Sequence, residues 1–246
     1  MLAIIGGSGL SQLSSLDVEH REVVRTPYGE PSGALLFGRI SGQQVVFLAR
    51  HGYGHTIPPH KVNYRANMWA LKNAGVEGVV SVASVGGIRA DMLPGVLVTP
   101  HQILDYTHGR EATYFDGDTK VVHVDFTEPY CPSLRQRLLV AAAAANEVML
   151  DGAVYAATQG PRLESAAEVN RLERDGADVV GMTGMPEVVL ARELELPYAA
   201  IVVVANYAAG RVDSAHGITM DVIEKTLHHA MGRVKTVLQH FFAVAP

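Results

Sequence analysis

The fold is decided by an apolar run that leads directly into a basic loop, Val45-Val46-Phe47-Leu48-Ala49-Arg50-His51-Gly52-Tyr53-Gly54-His55. The basic character continues through Pro58-Pro59-His60-Lys61-Val62-Asn63-Tyr64-Arg65-Ala66-Asn67. An apolar run of this length is typical of a buried strand, and the glycines that follow it indicate a loop. A strand that ends in Arg-His can hold an anion at the carboxyl edge of a sheet. The stretch therefore predicts an α/β protein with an anion site.

Further short apolar or β-branched runs extend the strand pattern to both ends of the chain. Together with the first, the predicted strands are Ala3–Ile5, Val45–Ala49, Gly78–Val85, Val96–Thr99, Ala153–Thr158, Asp178–Gly181 and Ala200–Ala205. Helical spacing is found after Pro59, from Leu134 to Val148 and from Thr219 to Phe242. Alternating strands and helices are typical of a mostly parallel sheet with helices packed on it. No linker interrupts the pattern, so residues 1–246 are expected to form a single domain.

The composition excludes several classes of protein. Apolar residues make up 48% and charged residues 18%, which is typical of a globular chain. A net charge of -5 argues against nucleic acid as a partner, because phosphate-backbone binding needs a basic surface. The single cysteine, Cys131, favours a reducing compartment, and neither a signal peptide nor a membrane span is recognisable. The protein is expected to be cytoplasmic and to bind a small molecule.

Glycine-, hydroxyl- or amide-bearing segments follow several of the predicted strands. They are Gly6–Leu10, Ser81–Ile88, Thr158–Ser165, Gly181–Glu187 and Val202–Gly210. Such strand ends can present backbone N–H groups and hydroxyls to a ligand. Most also have a plain structural interpretation: a turn without a ligand for the glycine-rich segments, helix capping for Glu164, and core packing for Met182. Asn206 differs, because an amide at the end of a buried strand must be satisfied by a ligand or a turn.

Three interpretations of the Arg50-His51 loop stay open. A guanidinium beside an imidazole favours a phosphate ligand, since the guanidinium fork matches two phosphate oxygens. The loop histidines could instead satisfy backbone groups. His51, His55 and His60 could also bind a metal ion, but the glycines and prolines around them prevent helical i, i+4 spacing, and no nearby carboxylate completes the ligand set.

These segments together resemble the nucleoside phosphorylases, the family that includes 5'-methylthioadenosine phosphorylase and the trimeric purine nucleoside phosphorylases. The resemblance is carried, in family order, by Gly6–Leu10, Arg50-His51-Gly52 with His55, Val62–Asn67, Gly160-Pro161-Arg162, Gly176–Thr183 and Met185–Ala191. It implies an α/β fold in which helices flank a twisted mixed sheet with a partly barrel-like core. It also implies a homotrimer, or a dimer of such trimers. Inorganic phosphate would be a co-substrate, with no cofactor and no metal.

The resemblance also implies two groups of ligand-binding residues. The phosphate would be bound by Ser8, Arg50, His51, Ala83, Ser84 and Thr183. The nucleoside would be contacted by Leu163, Glu164, Met182, Asn206, Tyr207, Ala208, His123, Met220 and Ile223. Among these, His123 is expected to reach the site of a neighbouring subunit, and Met182 is expected to pack under the ribose. Ala83 lacks a hydroxyl where relatives often carry threonine, which weakens the contact expected there.

Glu164 and Asn206 are expected to select the base. By the same resemblance, relatives that act on 6-aminopurines carry aspartate at the positions of Asn206 and Ala208, whereas those that act on 6-oxopurines carry asparagine at 206 and glutamate at 164. The chemistry agrees, because a 6-oxopurine offers N1–H to a carboxylate and O6 or N7 to an amide N–H. An aspartate at 206 would oppose two acceptors, and an unpaired buried group costs about 1–3 kcal/mol. Asn206 is also the expected catalytic residue, since its hydrogen bond to N7 would stabilise charge on the departing base.

The expected reaction is the reversible phosphorolysis of a 6-oxopurine nucleoside in purine salvage. Met220 and Ile223 are apolar and suit a thioether better than a hydroxyl. They favour 5'-methylthioinosine, which would yield hypoxanthine and 5-methylthioribose 1-phosphate, over inosine or guanosine, while 5'-methylthioadenosine is disfavoured by Asn206. Two other classes stay open: a nucleosidase that uses water, and a purine-binding protein without turnover.

Overall fold

The computed structural model describes residues 1–117 and 120–243 of the chain, and the strands within them form one sheet. The strands are β1 (Leu2–Gly6), β2 (Asp17–Glu22), β3 (Leu35–Ile40), β4 (Gln43–Ala49), β5 (Val79–Gly87), β6 (Leu97–Thr99), β7 (Gln102–Asp105), β8 (Met149–Asp151), β9 (Val154–Ala157), β10 (Val179–Gly181) and β11 (Tyr198–Tyr207). The α-helices are α1 (Tyr64–Asn73), α2 (Pro132–Ala144), α3 (Ala166–Arg174), α4 (Glu187–Glu193) and α5 (Met220–Ala243). Short 3-10 turns cover Pro59–Lys61 and Val212–Ser214.

The sheet is organised around β5, which has neighbours on both edges. Along one edge β11 runs parallel to it, with an irregularity between Val204 and Asn206. Along the other edge β1 pairs in parallel with its first residues and β10 pairs antiparallel with its last two, Gly86 and Gly87. From these neighbours the sheet continues through β4, β3 and β2, through β9 and β7, and through β6 and β8. The sheet therefore branches at β5.

The sheet is mixed, as the family resemblance implies, and six of its ten strand pairs are parallel, as the alternation of strands and helices suggested. The antiparallel pairs are β2–β3, β3–β4, β5–β10 and β6–β11, and the other pairs are parallel. β1, β4, β5 and β11 run in the same direction, so their carboxyl ends meet at one edge. The predicted α/β fold, with a mixed sheet flanked by helices, is confirmed.

The central strands are buried on both faces because helices cover each side. Successive side chains of β4 point to opposite faces, so Val46 and Leu48 join one core cluster while Val45 and Phe47 join the other. Side chains of α1 and α4 belong to the first cluster, and side chains of α2 and α5 belong to the second. This explains why the run Val45–Ala49 is apolar throughout rather than alternating.

The helices begin and end near the positions that the sequence indicates, except at the carboxyl end of α2. α1 begins where the Asn63 side chain accepts a hydrogen bond from the backbone N–H of Ala66, and Gly75 follows its end with φ of +76°. The predicted apolar stripe of α5 is buried from Leu227 onward. The prediction for α2 was wrong at its end, since the helix stops at Ala144. The chain then turns through Asn146, which has φ of +55°, and enters β8.

Strands β2, β3, β7 and β8 were not predicted. β2 has the sequence Asp-Val-Glu-His-Arg-Glu and is exposed at every position, so it carries no apolar alternation that could have indicated a strand. It lies at the edge of the sheet and pairs only with β3 among the described residues. No helix among the described residues has the length and apolarity needed to span a bilayer.

Candidate active site

A cavity of about 1090 Å³ opens where the carboxyl ends of β1, β4, β5 and β11 meet the first half of α5. Most of the residues predicted from the sequence line it, namely Ser8, Arg50, His51, Ala83, Ser84, Leu163, Glu164, Met182, Thr183, Asn206, Ala208, Met220 and Ile223. They come from distant parts of the chain. Ser8, Arg50 and Asn206 converge because β1, β4, β5 and β11 are parallel neighbours. Glu164 and Met182 follow β9 and β10, which run antiparallel to β5. A concave, partly apolar site with a few polar groups is the usual form of a small-molecule site.

Arg50 is held at the base of this cavity by a buried ion pair with Glu187. Its Nε donates to Glu187 Oε2 at 2.6 Å and its Nη2 donates to Glu187 Oε1 at 2.7 Å, while the two side chains are 1% and 0% exposed. Burial opposes the charge on the guanidinium, but the carboxylate outweighs it and raises the pKa of Arg50 above its ordinary value. Tyr198 adds a third hydrogen bond, from its hydroxyl to Glu187 Oε1 at 2.7 Å. The bidentate pair fixes the plane of the guanidinium.

The other donors of Arg50 are also largely committed. Nη2 donates to Ser81 Oγ at 2.6 Å, and Nη1 donates to the carbonyl of Val82 at 3.0 Å. Four of the five guanidinium N–H groups are therefore used, and one on Nη1 is left for a ligand. Gly7 makes room for that nitrogen, because a Cβ on Gly7 would lie 2.7 Å from Nη1. This glycine permits the close approach of the β1 loop to Arg50.

His51 satisfies a backbone group, as one interpretation of the loop histidines expected, and it also lines the cavity. Its Nδ1 lies 2.8 Å from the carbonyl oxygen of Ile57, and because a carbonyl only accepts, Nδ1 carries the hydrogen. Burial, and then the positive charge of Arg50, lower the pKa of His51 from 6.5 to about 4. The ring is therefore neutral at pH 7, and its Nε2 is a hydrogen-bond acceptor.

His55 is a second imidazole beside the first, with ring centroids 4.4 Å apart. Its Nε2 lies 3.5 Å from Ser8 Oγ, and the backbone at His55 is left-handed, with φ of +57°. Burial and the charge of Arg50 also lower its pKa. Within residues 1–117 and 120–243, no group of three His, Cys, Asp or Glu side chains could hold a metal ion.

Glu164 and Asn206 also line the cavity. Thr158 Oγ1 donates to Glu164 Oε1 at 2.6 Å, which orients the carboxylate and leaves Oε2 for a ligand. Asn206 Nδ2 donates to the carbonyl of Tyr207 at 2.6 Å, so one N–H and the side-chain oxygen are left for a ligand. Asn206 is 8% exposed and lies beside the irregularity in β11. An acceptor and a donor thus line the same cavity.

Glu164 does not cap the helix that follows it, so that interpretation was wrong. Ser165 is the N-cap of α3, and its side chain and that of Glu168 form a reciprocal capping box. Since Ser165 and Glu168 complete the cap, the carboxylate of Glu164 is left free of a structural role at the helix end.

Two of the predicted residues do not line the cavity in the single chain. Tyr207 follows Asn206 on β11, so its side chain points to the opposite face, and its carbonyl contributes only by holding the Asn206 amide. His123 is exposed in the segment between β7 and α2, outside the cavity.

The sequence did not reveal the roles of Glu187 and Tyr198, and it indicated His55 only as part of the family resemblance and as a candidate metal ligand. Glu187 was visible in the segment Met185-Pro186-Glu187, where a carboxylate precedes the apolar residues of α4. Its partner lies 137 positions away, so no local pattern could reveal the ion pair. His55 stands four residues after His51, and its role depends on the turn that returns it to Ser8.

A family model described as the phosphorylase superfamily matches residues 1–243 of the chain. The chain belongs to the phosphorylase superfamily. Membership confirms the family predicted from the sequence motifs, and with it an enzymatic class to which the cavity can be assigned.

Individual relatives of this phosphorylase cover most of its length. It is 54% identical, over 96% of both chains, to a protein of Pseudomonas syringae pv. tomato described as a probable S-methyl-5'-thioinosine phosphorylase. It is 46% identical, over 85% of its length and 80% of the relative's, to the 6-oxopurine nucleoside phosphorylase of Pyrococcus furiosus. Among solved structures, the methylthioadenosine phosphorylase of Schistosoma mansoni in complex with adenine superposes with a TM-score of 0.94 at 32% identity, covering 98% and 90% of the two chains.

Proposed function

We propose that this protein catalyses the reversible phosphorolysis of a 6-oxopurine nucleoside, with S-methyl-5'-thioinosine as the preferred substrate. The products are hypoxanthine and 5-methylthioribose 1-phosphate. The observation that carries the proposal is the pair of ligand groups that line one cavity, an acceptor on Glu164 and an amide N–H on Asn206. This pair matches N1–H and the O6/N7 edge of a 6-oxopurine, and the names of the relatives from Pseudomonas syringae and Pyrococcus furiosus support it.

Phosphate binds in one half of the cavity, between the β1 loop and the end of β4, and the nucleoside binds in the other half. The free Nη1–H of Arg50 and the hydroxyls of Ser8, Ser84 and Thr183 donate to its oxygens. Neutral His51 accepts a hydrogen from a protonated phosphate oxygen through Nε2, because its Nδ1 is committed to Ile57. A dianion that carries one hydroxyl satisfies these donors and this acceptor together. Ala83 contributes only its backbone.

The residues of the two halves act on opposite ends of the reacting bond. Cleavage of the glycosidic bond leaves an oxocarbenium-like ribose, which the bound phosphate stabilises and then attacks at C1'. Met182 packs under the ribose and limits the access of water. The second N–H of Asn206 donates to N7 of the base as negative charge develops there. No covalent enzyme intermediate is required, and no cofactor takes part.

The 5' substituent binds against the start of α5. Met220 and Ile223 line the cavity there, and both favour a methylthio group over a hydroxyl because an apolar group gains from contact with apolar side chains. Inosine and guanosine are the alternative substrates, which the name of the relative from Pyrococcus furiosus supports.

The active form is a homotrimer, or a dimer of such trimers, in which His123 of a neighbouring subunit approaches the 5' end of the substrate. Exposed apolar side chains on the same segment support this arrangement, since Val121 and Val122 are 68% and 42% exposed in the single chain. Substrate and phosphate are its small-molecule partners, and catalysis is expected in the cytoplasm.

Removal of phosphate tests the proposed reaction. Enzyme dialysed free of phosphate is assayed for hypoxanthine release from S-methyl-5'-thioinosine, with and without added phosphate, and arsenate serves as a control of similar shape and charge. The rate should fall to background without an oxyanion and return with either one. A phosphate-independent rate would show a nucleosidase, and the absence of turnover with bound purine would show a binding protein.

A further inference from the structure

A second guanidinium, that of the partly buried Arg110, contacts segments that carry cavity residues. Arg110 follows β7 in an irregular segment and stacks over the ring of Tyr64, with its Cζ 5.5 Å from the ring centroid. It is not among the residues that line the cavity. Any effect of Arg110 on a ligand must therefore pass through the residues that it contacts.

Four of the six hydrogen-bond acceptors of Arg110 are backbone carbonyls in the segments that follow two neighbouring strands, and a fifth is the Tyr64 hydroxyl, 3.4 Å from Nη1. Nη1 donates to the carbonyls of Met182 at 2.9 Å and Met185 at 2.5 Å. Nη2 donates to the carbonyls of Gln159 at 2.9 Å and Thr158 at 3.3 Å. Nε donates to the Gln159 side-chain oxygen at 3.2 Å. One side chain thus joins the loop after β9 to the loop after β10.

The contacts of Arg110 begin where the pairing of β9 with β10 ends. The register of β9 and β10 closes at Ala157 and Gly181, and the last backbone bond runs from the Thr158 N–H to the Gly181 carbonyl at 2.8 Å. Beyond that point the segments after β9 and β10 no longer pair with each other, and their carbonyls need other hydrogen-bond donors. The planar fork of a guanidinium can serve both chains at once, whereas the ammonium of a lysine has no such geometry.

The loops joined by Arg110 carry the residues that face the nucleoside. One loop contains Met182, and in the other the hydroxyl of Thr158 orients Glu164. Two groups proposed for phosphate are held without Arg110: Arg50 by Glu187, and His51 by the carbonyl of Ile57. Thr183 is different, because its N–H, which donates to the Tyr155 hydroxyl at 3.3 Å, shares a peptide unit with the Met182 carbonyl. The guanidinium and the imidazole of the phosphate half therefore have supports other than Arg110.

We infer that Arg110 is a positioning residue for the nucleoside half of the site, which fixes the spacing between Met182 and Glu164 without touching the ligand. This inference rests on the proposed function, since it assigns the loops after β9 and β10 to the nucleoside. Loss of Arg110 lets the two loops separate, so nucleoside binding weakens while phosphate binding is largely kept.

The test compares Arg110→Ala and Arg110→Lys with the wild type in steady-state assays that vary S-methyl-5'-thioinosine and phosphate independently. We expect the KM for the nucleoside to rise at least tenfold and the KM for phosphate to change less than threefold. Arg110→Lys should recover little, because an ammonium cannot bridge four carbonyls. Added guanidinium ion at millimolar concentration should restore part of the activity of Arg110→Ala but not of Arg110→Lys.

Arg65→Ala is the matched control. Arg65 anchors the same segment through Glu111, Asp116 and the carbonyl of Thr113, but it makes no contact with the loops after β9 and β10 among the described residues. The variant Arg65→Ala should lower the thermal midpoint of unfolding without changing the ratio of the KM for the nucleoside to the KM for phosphate. Equal changes in both KM values for Arg110→Ala, or the same split in Arg65→Ala, would overturn the inference. Absence of wild-type turnover would instead refute the proposed function, so the two failures are distinguishable.

Discussion

Loss of the Arg50–Glu187 ion pair should lower the stability of the fold strongly, because both side chains are almost completely buried. The substitution Glu187→Gln keeps the shape of the side chain and removes its charge. One oxygen still accepts from Arg50, but the new amide group faces a second guanidinium donor, and the Arg50 charge loses its partner. Breaking one side of a buried ion pair costs about 3–5 kcal/mol. For a chain of this length the loss corresponds to a fall in the thermal midpoint of about 6–20 °C.

If phosphate binds beside Arg50 as proposed, it should recover part of this loss, because its negative charge would then face the uncompensated guanidinium. A ligand stabilises the folded state by an amount that grows with its affinity, so saturating phosphate should raise the midpoint of Glu187→Gln by more than that of the wild type. Thermal unfolding is followed by circular dichroism at equal protein concentration, with and without phosphate.

Glu19→Gln is the control for this prediction. Glu19 pairs with Arg39 at 2.8 Å on the surface, where both side chains are nearly half exposed, so its loss should cost less than about 1 kcal/mol. A Glu187→Gln midpoint within 2 °C of the wild type would refute the buried-pair reasoning. An equal phosphate shift in variant and wild type would refute the placement of phosphate beside Arg50.

Three further predictions concern the base, the acid range and a helix end. Asn206→Asp should raise kcat/KM for methylthioadenosine relative to S-methyl-5'-thioinosine by about 5- to 150-fold, which is equivalent to about 1–3 kcal/mol for an unpaired buried group. If this ratio is unchanged in Asn206→Asp, both alone and combined with Glu164→Gln, other residues select the base. Burial and the charge of Arg50 lower the pKa of His51 from 6.5 to about 4. Between these pH values the unfolded chain binds a proton at His51 that the folded chain does not bind. The free energy of unfolding should therefore fall by roughly 2 kcal/mol from pH 7 to pH 5. Urea titrations of the wild type and His51→Gln check this, since only the wild type should lose that increment. Ser165→Ala should cost about 1 kcal/mol in the same urea assay, because its side chain caps α3, and a change below about 0.3 kcal/mol would contradict the cap.

The sequence was most informative where local pattern and tertiary structure agree. The run Val45–Ala49 is apolar at every position because both faces of β4 are covered, and this made the strand and the loop after it recognisable. The end of α2 could not be recognised, since alanines up to Ala145 favour a helix while the left-handed turn at Asn146 follows from the entry into β8. Strand β2 carries only exposed side chains, so its pairing with β3 has no sequence signal.

Site residues were predictable where they follow strands, and their partners were not. Arg50 and Asn206 each stand at or near the end of an apolar strand, which is visible in sequence. The ion pair of Arg50 with Glu187 and the carbonyl contacts of Arg110 join segments that only the folded sheet brings together. A guanidinium in an irregular segment resembles a surface charge until its acceptors are located.

Binding of a 6-oxopurine nucleoside together with phosphate is tested by comparing kcat/KM for S-methyl-5'-thioinosine, methylthioadenosine, inosine and guanosine, each measured at saturating phosphate and without it. The structure predicts the highest value for S-methyl-5'-thioinosine, a lower value for methylthioadenosine, and no turnover in the absence of phosphate. A clear preference for methylthioadenosine, or turnover that does not depend on phosphate, would contradict the roles assigned to Asn206 and Arg50.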